Sequence, residues 1–71
     1  MKVFYDQDGN VVGTLEGANQ DIEKNATMPG YEETRAPVDI AQRILNPNDP
    51  LLHTDLAVED GRVIVANPDR L

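Results

Sequence analysis

Two Asp-Gly dipeptides, Asp8-Gly9 and Asp60-Gly61, each lie between short runs of β-favouring residues. The first stands between KVFY and VVGTL, and the second stands between LLHTDLAV and RVIVAN. Glycine readily takes the positive φ that a tight turn requires, and aspartate hydrogen-bonds to nearby backbone N–H groups. Both dipeptides therefore predict β-hairpins, an N-terminal one over residues 1–17 and a C-terminal one over residues 51–66.

The segment YDQDGN also has the oxygen-rich composition of a calcium-binding loop. Asp6, Asp8 and Asn10 stand at the first, third and fifth positions, as an EF-hand loop requires. The sixth position needs glycine but holds Val11, and the closing glutamate is displaced by one residue. The spacing therefore favours a hairpin turn in which Gly9 takes the positive φ, and we expect no metal site.

The size of the chain limits how it can be stabilised. With 71 residues it is one small domain, and chains below about 80 residues usually need disulfides, a metal or association. The absence of cysteine excludes disulfides, and His53 as the single histidine argues against zinc. Association with a larger structural protein, with copies of itself, or with both is the remaining route.

The middle of the chain, residues 18–36, has no clear periodicity. A turn is predicted at Met28-Pro29-Gly30-Tyr31, and a short helical piece at residues 20–25 is only weakly indicated. Compact domains rarely contain about 19 residues without regular structure unless that stretch binds something. The sequence therefore predicts an extended arm over residues 18–36 that lies on another chain.

A short helix is predicted over residues 37–46. Pro37 suits its first position, Asn46 a left-handed cap, and Pro47 prevents continuation. One face carries the apolar residues Val38, Ala41, Ile44 and Leu45. About three turns are not stable alone, so this helix must dock on something.

These elements together predict an α+β fold, a small β-hairpin-rich domain with one short helix and an extended arm. Partner binding is predicted for apolar residues of the arm and the helix, since tyrosine is enriched at binding hot spots and the burial of apolar surface is favourable. The predicted partner-binding residues are Tyr31, Val38, Ile40, Ile44 and Leu45.

Charge and hydropathy argue against several classes of partner. Thirteen acidic residues against six basic ones give a formal charge of −7, and no two basic residues are adjacent. Nucleic-acid binding needs clustered Lys and Arg, so it is not expected. No apolar run approaches the roughly 20 residues of a membrane span, and the N-terminus lacks a secretory pattern. We therefore expect no membrane partner and synthesis in a cytoplasm.

Catalysis is not expected either, because the chain has neither serine nor cysteine. In the segment His53-Thr54-Asp55, neighbours on a strand point to opposite faces, so His53 and Thr54 cannot meet. His53 and Asp55 would share a face, as a surface ion pair. The carboxylate pairs lie in expected turns rather than in a cleft. The sequence thus predicts no enzyme, no cofactor and no small-molecule substrate.

Two local resemblances remain. TDLAVEDGRVIV resembles the opening strand pair of amidohydrolase-type enzymes, whose large metal-binding barrel this chain lacks. FYDQDGNVVG together with NPNDPLLHTDLAVEDGRVI is similar to small structural proteins of tailed bacteriophages, whether accessory, decorating or tail-associated. That resemblance transfers no functional residue.

The phage resemblance implies a non-enzymatic structural protein of the virion, made in the host cytoplasm. Such a protein would bind a larger capsid or tail protein through residues 18–36 and 37–46. The alternative is a small acidic regulator or inhibitor in the cytoplasm that binds a basic partner surface. It predicts a discrete complex that weakens steeply with salt.

Overall fold

The computed structural model describes residues 1–17 and 19–71 and has a small α+β fold, as the sequence predicts. In this described part, the strands are β1 (Lys2–Tyr5), β2 (Val11–Leu15), β3 (Glu32–Arg35), β4 (Leu56–Glu59) and β5 (Arg62–Val65). The helices are α1 (Gln20–Asn25) and α2 (Val38–Ile44), so there are two where one was expected. Short 3₁₀ turns span His53–Asp55 and Pro68–Arg70.

Strands β2, β1 and β3 form an antiparallel sheet with β1 in the centre. Val3 pairs with Thr14 on β2 and with Thr34 on β3. Because side chains alternate along a strand, Lys2 and Phe4 lie on one face of this sheet and Val3 on the other. The face that carries Lys2 and Phe4 is covered from the side of α1, and the face that carries Val3 lies against the main core.

The turn between β1 and β2 is built around the carboxylate of Asp6. That carboxylate accepts hydrogen bonds from the backbone N–H groups of Asp8 and Asn10, each at 2.9 Å. These bonds, foremost the one from Asn10, hold the pKa of Asp6 below its ordinary value. Gly9 has φ +84°, as expected, and a Cβ there would lie 2.5 Å from the carbonyl oxygen of Val58. The aspartates and the glycine therefore serve to turn the chain.

Strands β4 and β5 form a two-stranded antiparallel sheet, in which Val58 pairs with Val63. Their connection is the dipeptide Asp60-Gly61, with φ +52° and φ +76°. Positive φ at both central residues is the geometry of a type I′ hairpin, which favours Asp-Gly. The second hairpin thus forms where the Asp-Gly dipeptide predicts it, but its first strand begins only at Leu56.

The two sheets are joined along two sides. On one side Asn10 forms a β-bridge with Ala57, and the N–H of Val58 donates to the carbonyl of Gly9 at 2.8 Å. On the other side the hydroxyl of Thr34 donates to the carbonyl of Gly61 at 2.8 Å. The buried cluster between the sheets contains Val3, Val11, Leu51, Leu56, Val58 and Val63.

Residues 19–36 do not form the expected extended arm; Ala18, its first residue, lies outside the described residues. Asn19 caps α1 by accepting the N–H of Ile22 at 3.0 Å. After a turn at Gly30, where φ is +89°, β3 pairs with the free edge of β1. The segment folds onto its own chain because β1 offers a second edge, which no local sequence pattern indicates.

Two further details differ from the sequence-based expectations. Pro37 precedes α2 as its N-cap rather than occupying its first turn, and Asn46 is not left-handed. Asn46 instead accepts the N–H of Asn48 on its side chain at 3.0 Å. Residues His53–Asp55 form a 3₁₀ turn rather than strand, because the Asp55 carboxylate binds the N–H of Leu52 at 2.9 Å.

Candidate functional site

The two isoleucines among the predicted partner-binding residues face the protein interior. Ile40 and Ile44 are partly buried and pack against the core cluster. They lie four residues apart, so they share the inward face of α2. These two side chains therefore attach α2 to the core between the sheets.

Val38 and Leu45 are exposed instead. Val38 is 74% exposed, and Leu45, which caps the C-terminal end of α2, is 54% exposed. A separation of seven residues places them on the same side of a helix, about two turns apart. The short helix therefore has one apolar face on the core and a second one in solvent.

Tyr31 lies away from α2. It precedes β3, whose Glu32 pairs with Tyr5, whereas Arg35 at the other end of β3 pairs with Lys2 and leads towards α2. β3, a strand of four residues or about 13 Å, therefore lies along the chain between Tyr31 and the segment that leads to α2. Tyr31 is 46% exposed and belongs to the loop before β3 rather than to α2.

Leu52, which was not predicted, joins the exposed apolar residues. It is 59% exposed, while its neighbour Leu51 is buried. A shallow groove of about 350 Å³ lies beside it, lined by Ile44, Leu51, Leu52, His53 and Thr54. We call Val38, Leu45 and Leu52, the exposed apolar residues of α2, its C-terminal cap and the loop that follows, the exposed apolar face. The adjacent Leu51-Leu52 pair was a usable sequence signal, since neighbouring leucines outside a helix rarely bury together.

The loop that carries Leu52 is held in place by Asp55. This buried carboxylate accepts the N–H of Leu52 at 2.9 Å and the side-chain amide of Asn67 at 2.8 Å. These two hydrogen bonds, that of Leu52 first, hold the pKa of Asp55 below its ordinary value. The backbone of Leu52 is therefore held in place by a side chain of its own chain.

Arg70 fastens the same loop from the C-terminal end. Its guanidinium donates to the Asp49 carboxylate at 2.9 Å and to the carbonyls of Asp49 and Pro50 at 3.1 Å each. It also lies 3.8 Å from the carboxylate of Asp55. Arg43 in turn donates to the carbonyl of Arg70. The C-terminal 3₁₀ turn, the loop and α2 thus form one connected support.

A second cluster of charge surrounds Glu23 on the opposite side of the three-stranded sheet. Glu23 is buried, and its Oε1 lies 2.8 Å from Nη1 of Arg35 and 3.1 Å from the α-amino group of Met1. Both contacts are ion pairs in which Oε1 receives no well-aligned hydrogen bond from the described residues. The amino group and then Arg35 hold the pKa of Glu23 below its ordinary value.

The arrangement around His53 differs from the expected surface ion pair with Asp55. His53 and Asp55 belong to a 3₁₀ turn, and the two oxygens of Asp55 bind Leu52 and Asn67. Within residues 1–17 and 19–71, no group of three or more His, Asp or Glu side chains is arranged to hold a metal ion. In the same ranges, no helix is long and apolar enough to cross a membrane.

Comparison of the chain with protein-family models, with curated proteins and with solved structures found no significant match.

Proposed function

We propose that this chain is a non-enzymatic structural protein that binds a larger protein through the exposed apolar face. The observation that carries the proposal is the exposure of Val38, Leu45 and Leu52 on a helix and loop that the core, Asp55 and Arg70 hold rigid. Preformed apolar anchors reduce the ordering cost of binding. The tailed-phage particle, with a capsid or tail protein as partner, is the proposed setting.

The size of this face suits a protein that acts in many copies. Burying one large aliphatic side chain contributes about 1.5–3 kcal/mol, and association costs about 4–15 kcal/mol in lost freedom. Three such side chains alone therefore give a weak contact. Repetition on a particle surface would make weak contacts sufficient, because neighbouring sites raise the effective concentration.

The charge of the chain favours a larger partner over a second copy of itself. Each copy carries a formal charge of −7, so two copies repel each other at low salt. A neutral or basic apolar surface meets no such repulsion. We accordingly place the partner's binding site on a neutral to basic surface of a larger structural protein.

The test is to purify phage particles from the culture in which this chain is made and to measure the number of copies of the chain per particle. The double variant Leu45→Asp with Leu52→Asp places charge in the interface and is expected to lower the copy number at least about tenfold. The matched control is Ile22→Asp, an exposed apolar residue on α1 outside this face. It should leave the copy number unchanged. Finding the wild-type chain only in the free fraction would refute the proposal.

The second candidate is an acidic regulator that binds a basic surface. It is favoured by the net charge and by the exposed carboxylates of Asp8 and Asp60 in turns and of Glu59 at the end of β4. The two candidates differ in salt dependence, since a mainly apolar contact changes little between low and physiological salt whereas a charge contact weakens steeply. Measuring partner affinity at both salt concentrations separates them.

A further inference from the structure

A polar cleft of about 460 Å³ lies between α1 and β3. It is lined by Lys2, Gln20, Lys24, Glu33, Thr34 and Arg35. All six carry polar side chains, and three of them are among the six basic residues of the whole chain. The cleft is on the α1 side of the three-stranded sheet, whereas α2 packs against the core on the other side.

Two of the three cations are held in fixed positions. The Lys2 ammonium, almost fully buried, donates to the carbonyls of Lys24 at 3.0 Å and Ala26 at 2.8 Å, and it lies 3.3 Å from Glu33. Arg35 is anchored through Nη1 to Glu23 at 2.8 Å, but its side chain remains mostly exposed. One nitrogen of the guanidinium is thus engaged, and its remaining N–H donors are accessible to a ligand.

The third cation, Lys24, has no ion-pair partner among the residues that the structure describes. The lining residues carry a formal charge of +2, because Lys2, Lys24 and Arg35 face only Glu33. Including the neighbouring Met1 amino group, Glu16 and Glu23 still leaves +1. This local charge is opposite in sign to the −7 of the chain.

We propose that this cleft binds a phosphate group. A phosphate monoester carries a charge of about −1.5 to −2 and three strong acceptor oxygens. The fork of an arginine and the point charge of a lysine are the donors that proteins use for such groups. The free donors of Arg35 and Lys24 approach the cleft from β3 and α1, and the buried Lys2 ammonium lies at its wall.

The experiment is an amide NMR titration of the 71-residue chain with inorganic phosphate, with chloride balancing the ionic strength. Saturable shifts are expected for the amides of Lys24, Thr34 and Arg35. The variant Lys24→Gln removes the unpaired cation without touching an ion pair, and it should weaken binding about tenfold. Arg62→Gln, an equal loss of charge outside the cleft, should weaken it by less than about twofold.

Three results would overturn the proposal. They are the absence of saturable shifts, an equal loss of affinity in Lys24→Gln and Arg62→Gln, and binding of glutarate as tight as that of phosphate. The last result would show a site for any dianion rather than for phosphate.

If phosphate binds, a comparison with methyl phosphate identifies the source of the phosphate group. Tighter binding of the inorganic ion indicates free phosphate, and equal or tighter binding of the ester indicates a phosphate on a larger molecule.

Discussion

Among single residues, Asp55 supports the loop that carries Leu52. Its Oδ2 accepts the N–H of Leu52, and its Oδ1 accepts the side-chain amide of Asn67. Its backbone carbonyl accepts the N–H groups of Ala66 and Asn67. One buried carboxylate thus connects the loop before β4 with the segment after β5.

We expect Asp55→Asn to destabilise the protein. Of the two terminal atoms of an amide, only the oxygen accepts a hydrogen bond. The NH₂ group of the new asparagine would therefore face either the N–H of Leu52 or the side-chain NH₂ of Asn67, and that hydrogen bond would be lost. Chemical denaturation at neutral pH measures the loss. The matched control is Asp49→Asn, because Asp49 also binds Arg70 but is exposed, and its loss should cost at most about 1 kcal/mol.

The depressed pKa of Asp55 also fixes the sign of its pH dependence. Because the folded-state pKa lies below the ordinary value, the ionised form is bound more strongly in the folded state. The contribution of Asp55 to the free energy of unfolding is therefore fully present above the ordinary pKa of aspartate. It is lost as pH falls through the pKa of Asp55 in the folded state. The stability difference between wild type and Asp55→Asn should shrink as pH falls through that acidic range. A constant difference would contradict this account.

The sequence could not show this role. In the HTD segment, Asp55 was expected to share a strand face with His53, because only local neighbours are visible in a sequence. Its actual partner Asn67 lies twelve residues away. The adjacent Leu51-Leu52 pair indicates that one of the two leucines is exposed, but which one it is depends on the 3₁₀ turn that this carboxylate holds.

At the level of elements, α1 depends on a residue from another element. Six residues are too few for a helix that is stable alone. The ammonium of Lys2 on β1 binds the carbonyls of Lys24 and Ala26 at the C-terminal end of α1, where backbone acceptors are otherwise unpaired. The helix is therefore stabilised by the strand against which it packs.

Replacing Lys2 by methionine tests this dependence. The variant keeps the apolar stem but removes both hydrogen bonds and the ion pair with Glu33, at a cost of about 1.5–3 kcal/mol. Hydrogen exchange of the α1 amides should accelerate more than that of β4 and β5. Lys24→Met, an exposed lysine on the same helix, is the control and should leave exchange nearly unchanged. Equal acceleration across all elements would contradict a specific role in α1.

The elements that the sequence predicted are those with local determinants. The two Asp-Gly turns, the strands directly beside them and the presence of α2 all follow from neighbouring residues, although the predicted roles of Pro37 and Asn46 at the ends of α2 were wrong. Helix α1 and strand β3 replace the expected arm because their partners, Lys2 and the edge of β1, lie far away in the sequence. The same limit applies to Ile40 and Ile44, whose inward orientation depends on where α2 docks.

In the whole molecule, one core serves both sheets. Val3 and Val11 from the first sheet and Leu56, Val58 and Val63 from the second lie in the same buried cluster. The two helices lie on opposite sides of this assembly, so the exposed apolar face and the polar cleft are attached to one shared core. If that core opens, both surfaces lose their geometry together.

The shared core predicts that the two sheets unfold as one unit. Val63→Ala removes two methyl groups from a buried position on β5 and should cost about 2 kcal/mol. Native-state hydrogen exchange should then show the same loss of protection in β1 and β2 as in β4 and β5. Val12→Ala, at a position of β2 that is 36% exposed, is the control and should cost less, at most about 1 kcal/mol. If Val63→Ala weakened protection only in β4 and β5, the two sheets would be separate units. The exposed apolar face could then lose its geometry while the cleft beside α1 kept its own.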